Sequence, residues 1–342
     1  MTAVRAATLR AARRLVVVEV ELPEPRDDEV VVDVDACGIC ATNLHGWREP
    51  QTAVGPVMLP GAHGHELAGR VRGSGERVCL DPALACACGR CDRCDAGDPV
   101  GCRAPSPLAV WGFADAVVVP REGLVAVPDG LGLEAATLAE PLAAAVHALR
   151  TSWTARADGR LDGVPAVVLG AGPLGLLSLA RLRRLGAGPV TVVARHPHQA
   201  ELAGDLGADE VLPDDHPQLA RDLRRRRAAL VVEAVGGGAE TVATAFAAVD
   251  RGGEVVVLGL FDAPRGLDVT DAVLRGVRAR FAAAAGVDGG TSDVARALEQ
   301  LAAEPGLARL LTHRFALAEV DEAFAAAGTP GTRALRVLVR PT

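Results

Sequence analysis

The 342-residue chain contains no lysine and no tyrosine, and aromatic residues make up only 3% of it. Each absence removes chemistry. A phosphate-binding loop of the P-loop type needs its lysine, a pyridoxal Schiff base needs another, and a Tyr–Lys proton-donor pair needs both residues. Redox chemistry in this chain therefore has to find its electrophile elsewhere, and a metal ion is the obvious candidate. Although 49% of the residues are hydrophobic, no uncharged apolar run reaches the ~18 residues of a membrane span. The first twenty residues interleave charges with apolar residues and run into a strand-like stretch, unlike a secretory leader, so a cytoplasmic location with no membrane partner is expected. The net charge is -7 and the arginines are dispersed, which argues against nucleic acid as a partner. The run Arg224 to Arg227 is the exception, and it reads as the solvated last turn of a helix.

The eight cysteines cluster rather than scatter, and in a reducing compartment such clustering points to metal rather than disulfides. Cys88, Cys91, Cys94 and Cys102 form a C-x2-C-x2-C-x7-C pattern that closes a tetrahedral zinc site with no open position, hence a structural one. Cys86 is a spare neighbour, and Cys79, inside the apolar run Val78 to Leu80, reads as core.

Residues 1–145 alternate short Val-rich runs with Gly, Pro and Asp, including Leu15 to Val20, Val30 to Val34 and Ala116 to Val119, which is a β-rich pattern. Residues 146–285 alternate short apolar runs with Ala/Leu/Arg-rich helical stretches. The runs at Ala166 to Leu169, Val190 to Val193, Leu230 to Ala234 and Glu254 to Leu258 predict a doubly wound parallel sheet covered on both faces. The tail, 286–342, carries helical patterns at Ser292 to Ala303 and Val320 to Ala326 and a strand-like Ala334 to Val339, and is expected to complete the first domain.

The run Ala166 to Leu169 leads into Gly170-Ala-Gly172-Pro173-Leu174-Gly175, a G-x-G-x-x-G with the strand before it and the helix after it that the dinucleotide-binding fingerprint requires. Gly170 suits the tight turn, Gly172 the close approach of backbone to pyrophosphate, and Gly175 the packing of helix on strand. The helix N-terminus, with Pro173 and Leu174 in its first turn, presents its free N–H groups to phosphate. At the end of the next strand, where an NAD-binding chain carries an acid, this one has Ala194, Arg195 and His196. A guanidinium fork there suits a 2′-phosphate, so NADP(H) is expected over NAD(H).

Cys37-Gly-Ile-Cys40-Ala-Thr42-Asn43-Leu-His45, Gly64-His65-Glu66, the four-cysteine lobe at about 86–103, Glu140-Pro141-Leu142 and the G-x-G-x-x-G occur in that order. Together they resemble the zinc-containing medium-chain dehydrogenase/reductase family, nearest its polyol and threonine dehydrogenase branch, over nearly the whole chain. The resemblance implies a GroES-like β-rich catalytic domain and a Rossmann domain, two zinc ions per chain, and a homodimer or homotetramer. It makes Cys40 and His65 ligands of a catalytic zinc, with Glu66 and Glu140 both open for the third protein position. Thr42 becomes the proton relay and His45 its outer partner, with a small-molecule alcohol or ketone, such as a polyol, sugar or cyclitol, as substrate. Cys37 reads as a packed small residue, and His63 as an alternative to His65 that the Gly-His-Glu match disfavours. Three positions depart from the family pattern: Asn43 replaces an acid, the connection from Glu66 to Gly75 is short, and Trp111 precedes Gly-Phe-Ala where a small or acidic residue is usual. Trp47 and Trp111 are compatible either with a narrowed cleft or with ordinary packing. A quinone or enoyl reductase of the same superfamily generally lacks both zinc sites. A non-catalytic zinc-knuckle dinucleotide binder would carry a basic face.

Overall fold

The structure is a computed structural model and describes residues 2–50, 61–282, 285–329 and 331–341. It divides into two compact units, 1–143 with 285–342, and 144–284.

In the first unit, alternating Val-rich segments pair as the period of two dictates. Strands β1 (Thr2–Ala11) and β2 (Arg14–Leu22) form a hairpin. The main sheet is built on β3 (Glu29–Gly38), which pairs antiparallel with β4 (Glu66–Val71) on one side and, through Cys37 and Gly38, with the tail strand on the other. β5 (Arg77–Leu80) closes a tight hairpin with β4, as the short Glu66 to Gly75 connection demands. β6 (Ala116–Pro120) pairs with β3, and β7 (Leu124–Ala126) with β5.

The second unit holds one six-stranded sheet. Its strands are β8 (Ala166–Leu169), β9 (Val190–Ala194), β10 (Glu210–Pro213), β11 (Leu230–Glu233), β12 (Glu254–Val257) and β13 (Arg278–Phe281). All pairs are parallel, in the order β10-β9-β8-β11-β12-β13. β8, β9, β11 and β12 are buried along their whole length, which is why they read as unbroken apolar runs rather than alternating ones. The order reverses between β8 and β11, and ligands of open α/β sheets bind at such a switch point.

The tail returns to the first unit with a short β14 (Val287–Asp288) and β15 (Thr291–Ser292), then β16 (Leu311–Ala316) and β17 (Arg336–Arg340). β17 pairs with β3 through Val339 and Cys37 and parallel with β16. The core of this unit centres on Phe113 and Phe324, whose rings lie 5.4 Å apart, with Trp47 6.1 Å from Phe324. Trp47 is thus a core residue. Among the described residues no helix is long and apolar enough to cross a membrane.

Candidate active site

Three chain segments meet where β3 ends, β4 begins and β17 begins. β3 runs out at Gly38, two residues before Cys40, the N-cap of the helix Ala41–Arg48. The register pairs Gly38 with Glu66, the first residue of β4, so His65 and Glu66 arrive beside Cys40. The ligand atoms of Cys40, His65 and Glu66 all lie within 4.8 Å of one another.

Each group is fixed from behind. Asn43 Oδ1 accepts from the Cys40 backbone N–H at 2.9 Å, closing the first helical turn, while Asn43 Nδ2 donates to the His63 carbonyl at 3.1 Å. An amide does both jobs, and an aspartate, which only accepts, would lose the second bond. The same carbonyl lies 3.0 Å from His65 Nδ1. A carbonyl only accepts, so Nδ1 carries a proton and Nε2 is the nitrogen turned toward Cys40, where a metal would displace its proton. His63 itself sits at a φ of 58°, and its ring meets Trp111 edge-on at 4.4 Å. Trp111 therefore packs against this turn. Burial, with the neighbouring His65, holds His63 down to about 4.

Glu66 is fully buried, and its Oε1 pairs with Arg336 Nη1 at 2.9 Å; the same Nη1 donates to the Ile39 carbonyl at 2.8 Å. Oε2 is buried with no hydrogen-bond partner among the described residues. Gly38 is required here, because a Cβ at that position would lie 2.3 Å from Glu66 Oε2. Burial pushes the His65 imidazolium down, but hydrogen bonding to the Cys40 side chain and the charges of Glu140, Cys40 and Glu66 outweigh it, raising the group to about 10. Glu140, in the first turn of the helix Ala139–Arg150, is pushed up to about 7 by burial, which Glu66 reinforces and His65 opposes. It belongs to the same electrostatic cluster but not to the converging set. A thiolate, an imidazole and an unpartnered buried carboxylate oxygen fit a zinc ion with one position open.

Thr42 and His45 sit three residues apart on the helix Ala41–Arg48 and so share a face. The Thr42 hydroxyl is buried and has no partner among the described residues. Cys37 and Cys79 are fully buried, and desolvation drives both thiols upward.

Cys88, Cys91, Cys94 and Cys102 form the second converging set, their sulfurs within 4.8 Å of one another. Cys91 and Cys94 lie 3.5 Å apart, and the Cys88 amide donates to Cys102 Sγ at 3.2 Å. Backbone amides, that of Arg103 first and then that of Cys94, hold the Cys91 thiol down to about 6, while desolvation pushes Cys94 up to about 11. Four sulfurs of mixed ionisation so close together fit a metal that ionises all four. Cys86 is outside the set.

In the second unit a cavity of ≈ 420 Å³ opens at the β8/β11 switch point, lined in part by Gly170, Gly172, Arg195, His196 and Thr241. The three glycines divide the labour the fingerprint demands. Gly170 takes a φ of 97°, a Cβ on Gly175 would lie 1.9 Å from the Gly170 carbonyl, and a Cβ on Gly172 would meet nothing within 4 Å. That open space stands at the N-cap of the helix Pro173–Arg184, where Leu174 occupies the first turn. The cradle fits a pyrophosphate. Arg195 bonds Asp214, which also lines the cavity, and the rings of His196 and His198 stack at 5.7 Å. The four arginines at 224–227 each face an acid: Asp271, Asp222, Glu210 and Asp250 in turn, so they form no free basic face.

Sequence reading missed three site residues. Arg336 and Asp214 are brought in only by strand order. Glu233, fully buried at the end of β11, accepts through Oε1 from the Val235 and Gly236 amides at 2.8 and 3.1 Å and from the Thr241 hydroxyl at 2.7 Å. It thereby shapes the cavity wall at Val235 and Thr241, and the signal available was an acid ending an otherwise apolar strand.

Two family models match the chain: "alcohol dehydrogenase GroES-like domain" over residues 26–129 and "zinc-binding dehydrogenase" over 173–303. The L-threonine 3-dehydrogenase of Pyrococcus abyssi is 30% identical over 75% of this chain and 76% of its own length. That of Symbiobacterium thermophilum is 29% identical over 95% of this chain and 96% of its own. Among solved structures, a zinc-binding dehydrogenase of Sinorhizobium meliloti bound to NADP is similar at a TM-score of 0.83 and 26% identity, covering 100% of both chains. An alcohol dehydrogenase from Thermus is similar at 0.82 and 25%, over 98% of this chain and 99% of that one.

Proposed function

Since the chain belongs to the zinc-containing medium-chain dehydrogenase/reductase family, we propose that it transfers hydride between a secondary alcohol, polyol-, sugar- or cyclitol-like, or the corresponding ketone, and a nicotinamide dinucleotide. The observation that carries this reading is the convergence of Cys40, His65 and Glu66 within 4.8 Å, with one carboxylate oxygen left unpartnered. Cys40, His65 and Glu66 would hold the catalytic zinc, with Glu140 beside them, and the four-cysteine lobe a second, structural one. When bound, zinc supplies a Lewis acid for a substrate oxygen and the dinucleotide supplies the hydride acceptor or donor.

The chain's own residues do the rest. Arg336, itself held by the Ile39 carbonyl, fixes one oxygen of Glu66, so that the free oxygen is aimed rather than mobile. His63, through its carbonyl, fixes the tautomer of His65. Thr42 takes the proton of the substrate hydroxyl and passes it along the helix face to His45, which hands it to solvent. Gly172 and the helix behind it hold the pyrophosphate. Arg195 at the cavity, with Ala194 rather than an acid ending β9, favours NADP(H).

The test is metal analysis together with a panel of alcohols and polyols, followed by nicotinamide absorbance with both cofactors. Close to two zinc ions per chain and turnover of a polar secondary alcohol are expected. Metal bound only to the cysteine lobe, with no turnover of any member of the panel, would overturn the proposal.

Self-association is part of the same reading. β13 ends the parallel sheet, and Phe281 on it is 70% exposed, while Val273 and Leu274 of the neighbouring helix Val269–Arg275 are 71% and 69% exposed. A strand edge with no partner among the described residues, flanked by exposed apolar side chains, suits pairing with a second copy across a twofold axis. Phe281→Asp is therefore expected to convert a dimer into a monomer in light scattering at micromolar concentration. A wild-type chain that is already monomeric there would refute this assignment.

A further inference from the structure

Arg195 is the cavity's candidate for a 2′-phosphate, yet it does not stand alone. Asp214, which follows β10, lines the same cavity and accepts from Arg195 Nε at 2.6 Å. β10 neighbours β9 in register, Pro213 opposite Ala194, which carries Asp214 alongside Arg195. The acid missing from the end of the second strand is thus supplied by the third, by strand pairing rather than by motif.

We propose that Asp214 is a specificity-determining residue that opposes the 2′-phosphate, so that the choice between the two dinucleotides is set by Arg195 against Asp214. This rests on the reading of the cavity as a dinucleotide site. The two side chains have opposite preferences. A guanidinium grips a phosphate through a pair of N–H groups, and Asp214 occupies the Nε edge, one of the two edges available for a bidentate grip. An ionised carboxylate only accepts hydrogen bonds. It takes one from a ribose hydroxyl, offers none to a phosphate, and repels its charge of nearly two units. The wild-type preference for the phosphorylated cofactor is consequently weak, and neutralising Asp214 strengthens it.

Both side chains are substantially solvent-exposed, 64% for Arg195 and 32% for Asp214, so replacing either leaves the core untouched. The experiment is a fluorescence titration of the full chain with NADPH and with NADH, in wild type, Asp214→Asn and Arg195→Gln, at low and high salt. Asp214→Asn is expected to raise the ratio of the NADH to the NADPH dissociation constant about tenfold, mainly by tightening NADPH, with the gain shrinking at high salt. Arg195→Gln, which leaves Asp214 unopposed, is expected to reverse the preference toward NADH. A ratio that moves less than about twofold in Asp214→Asn, or moves toward NADH, overturns the proposal, because a carboxylate opposing a phosphate must show at least that much. A wild-type chain that binds neither nucleotide overturns instead the dinucleotide reading on which the proposal stands.

Discussion

Cys40→Ser is expected to lower turnover by more than about a hundredfold and to release about one zinc equivalent per chain, while circular dichroism and the melting temperature stay near those of the wild type. The reason is chemical. A thiol beside His65 and Glu66 ionises on binding metal, whereas a serine hydroxyl does not ionise near neutral pH and is a poor zinc ligand. The fold tolerates the change, because what Cys40 contributes to the helix Ala41–Arg48 is chiefly its backbone N–H, held by Asn43 Oδ1 at 2.9 Å. Serine keeps that group and is itself a good N-cap. Full turnover by Cys40→Ser would remove the proposed mechanism, since neither His65 nor Glu66 would then act as part of a metal site.

How far this site is legible before folding depends on sequence distance. Cys40, Thr42 and His45 lie on one short helix, and His65 and Glu66 are adjacent, so motif spacing alone nominates them. Spacing does not nominate Arg336. It reaches Glu66 only because β17 returns to pair with β3, and a lone arginine near the end of an acidic chain carries no local sign of that destination. The same holds for Asp214, whose role follows from the pairing of β10 with β9. Sequence left Glu66 and Glu140 open as third ligand. The register Gly38 opposite Glu66 places Glu66 against Cys40, and Glu140 comes from a separate helix. The two tryptophans illustrate the limit from the other side. Trp47 joins Phe324 in the core and Trp111 covers His63, and composition could not separate such packing from the lining of a cleft. Helices and strands of the second unit were the easier part, because a wholly buried parallel strand writes itself as a short apolar run. The run ends moved by a residue: β11 stops at Glu233 and β12 at Val257. At Glu233 the reason is visible: the Ala234 amide still reaches the Leu169 carbonyl, but the Val235 and Gly236 amides turn to the Glu233 carboxylate instead of a neighbouring strand.

Cys91→Ser is expected to do the reverse of Cys40→Ser: the melting temperature falls by roughly 10 °C, an effect on the order of 3 kcal/mol, while kcat per folded molecule changes little. The four-cysteine lobe has almost nothing else to hold it. Its one helix, Asp92–Asp95, is a single turn with no buried residue. Its ion pairs, Arg93 with Asp98 and Arg103 with Asp92, are solvent-exposed, and pairs of that kind contribute about 0–1 kcal/mol each. Backbone bonds such as the Gly97 carbonyl to the Val287 amide at 2.9 Å anchor only one corner. Four sulfurs within 4.8 Å of one another gather thiolates that a cation would neutralise, so on the proposed reading metal-binding free energy supplies much of the lobe's stability. Calorimetry of wild type with and without a strong chelator should reproduce the shift seen in Cys91→Ser. If that variant melted with the wild type and kept its full zinc content, the lobe would not be a structural metal site. The contrast between the two variants is itself informative: loss of chemistry without loss of fold in one, and loss of stability without loss of chemistry in the other, is what separate open and closed metal sites require. A chain with a single zinc shared or exchanged between the two cysteine clusters would show both losses in both variants.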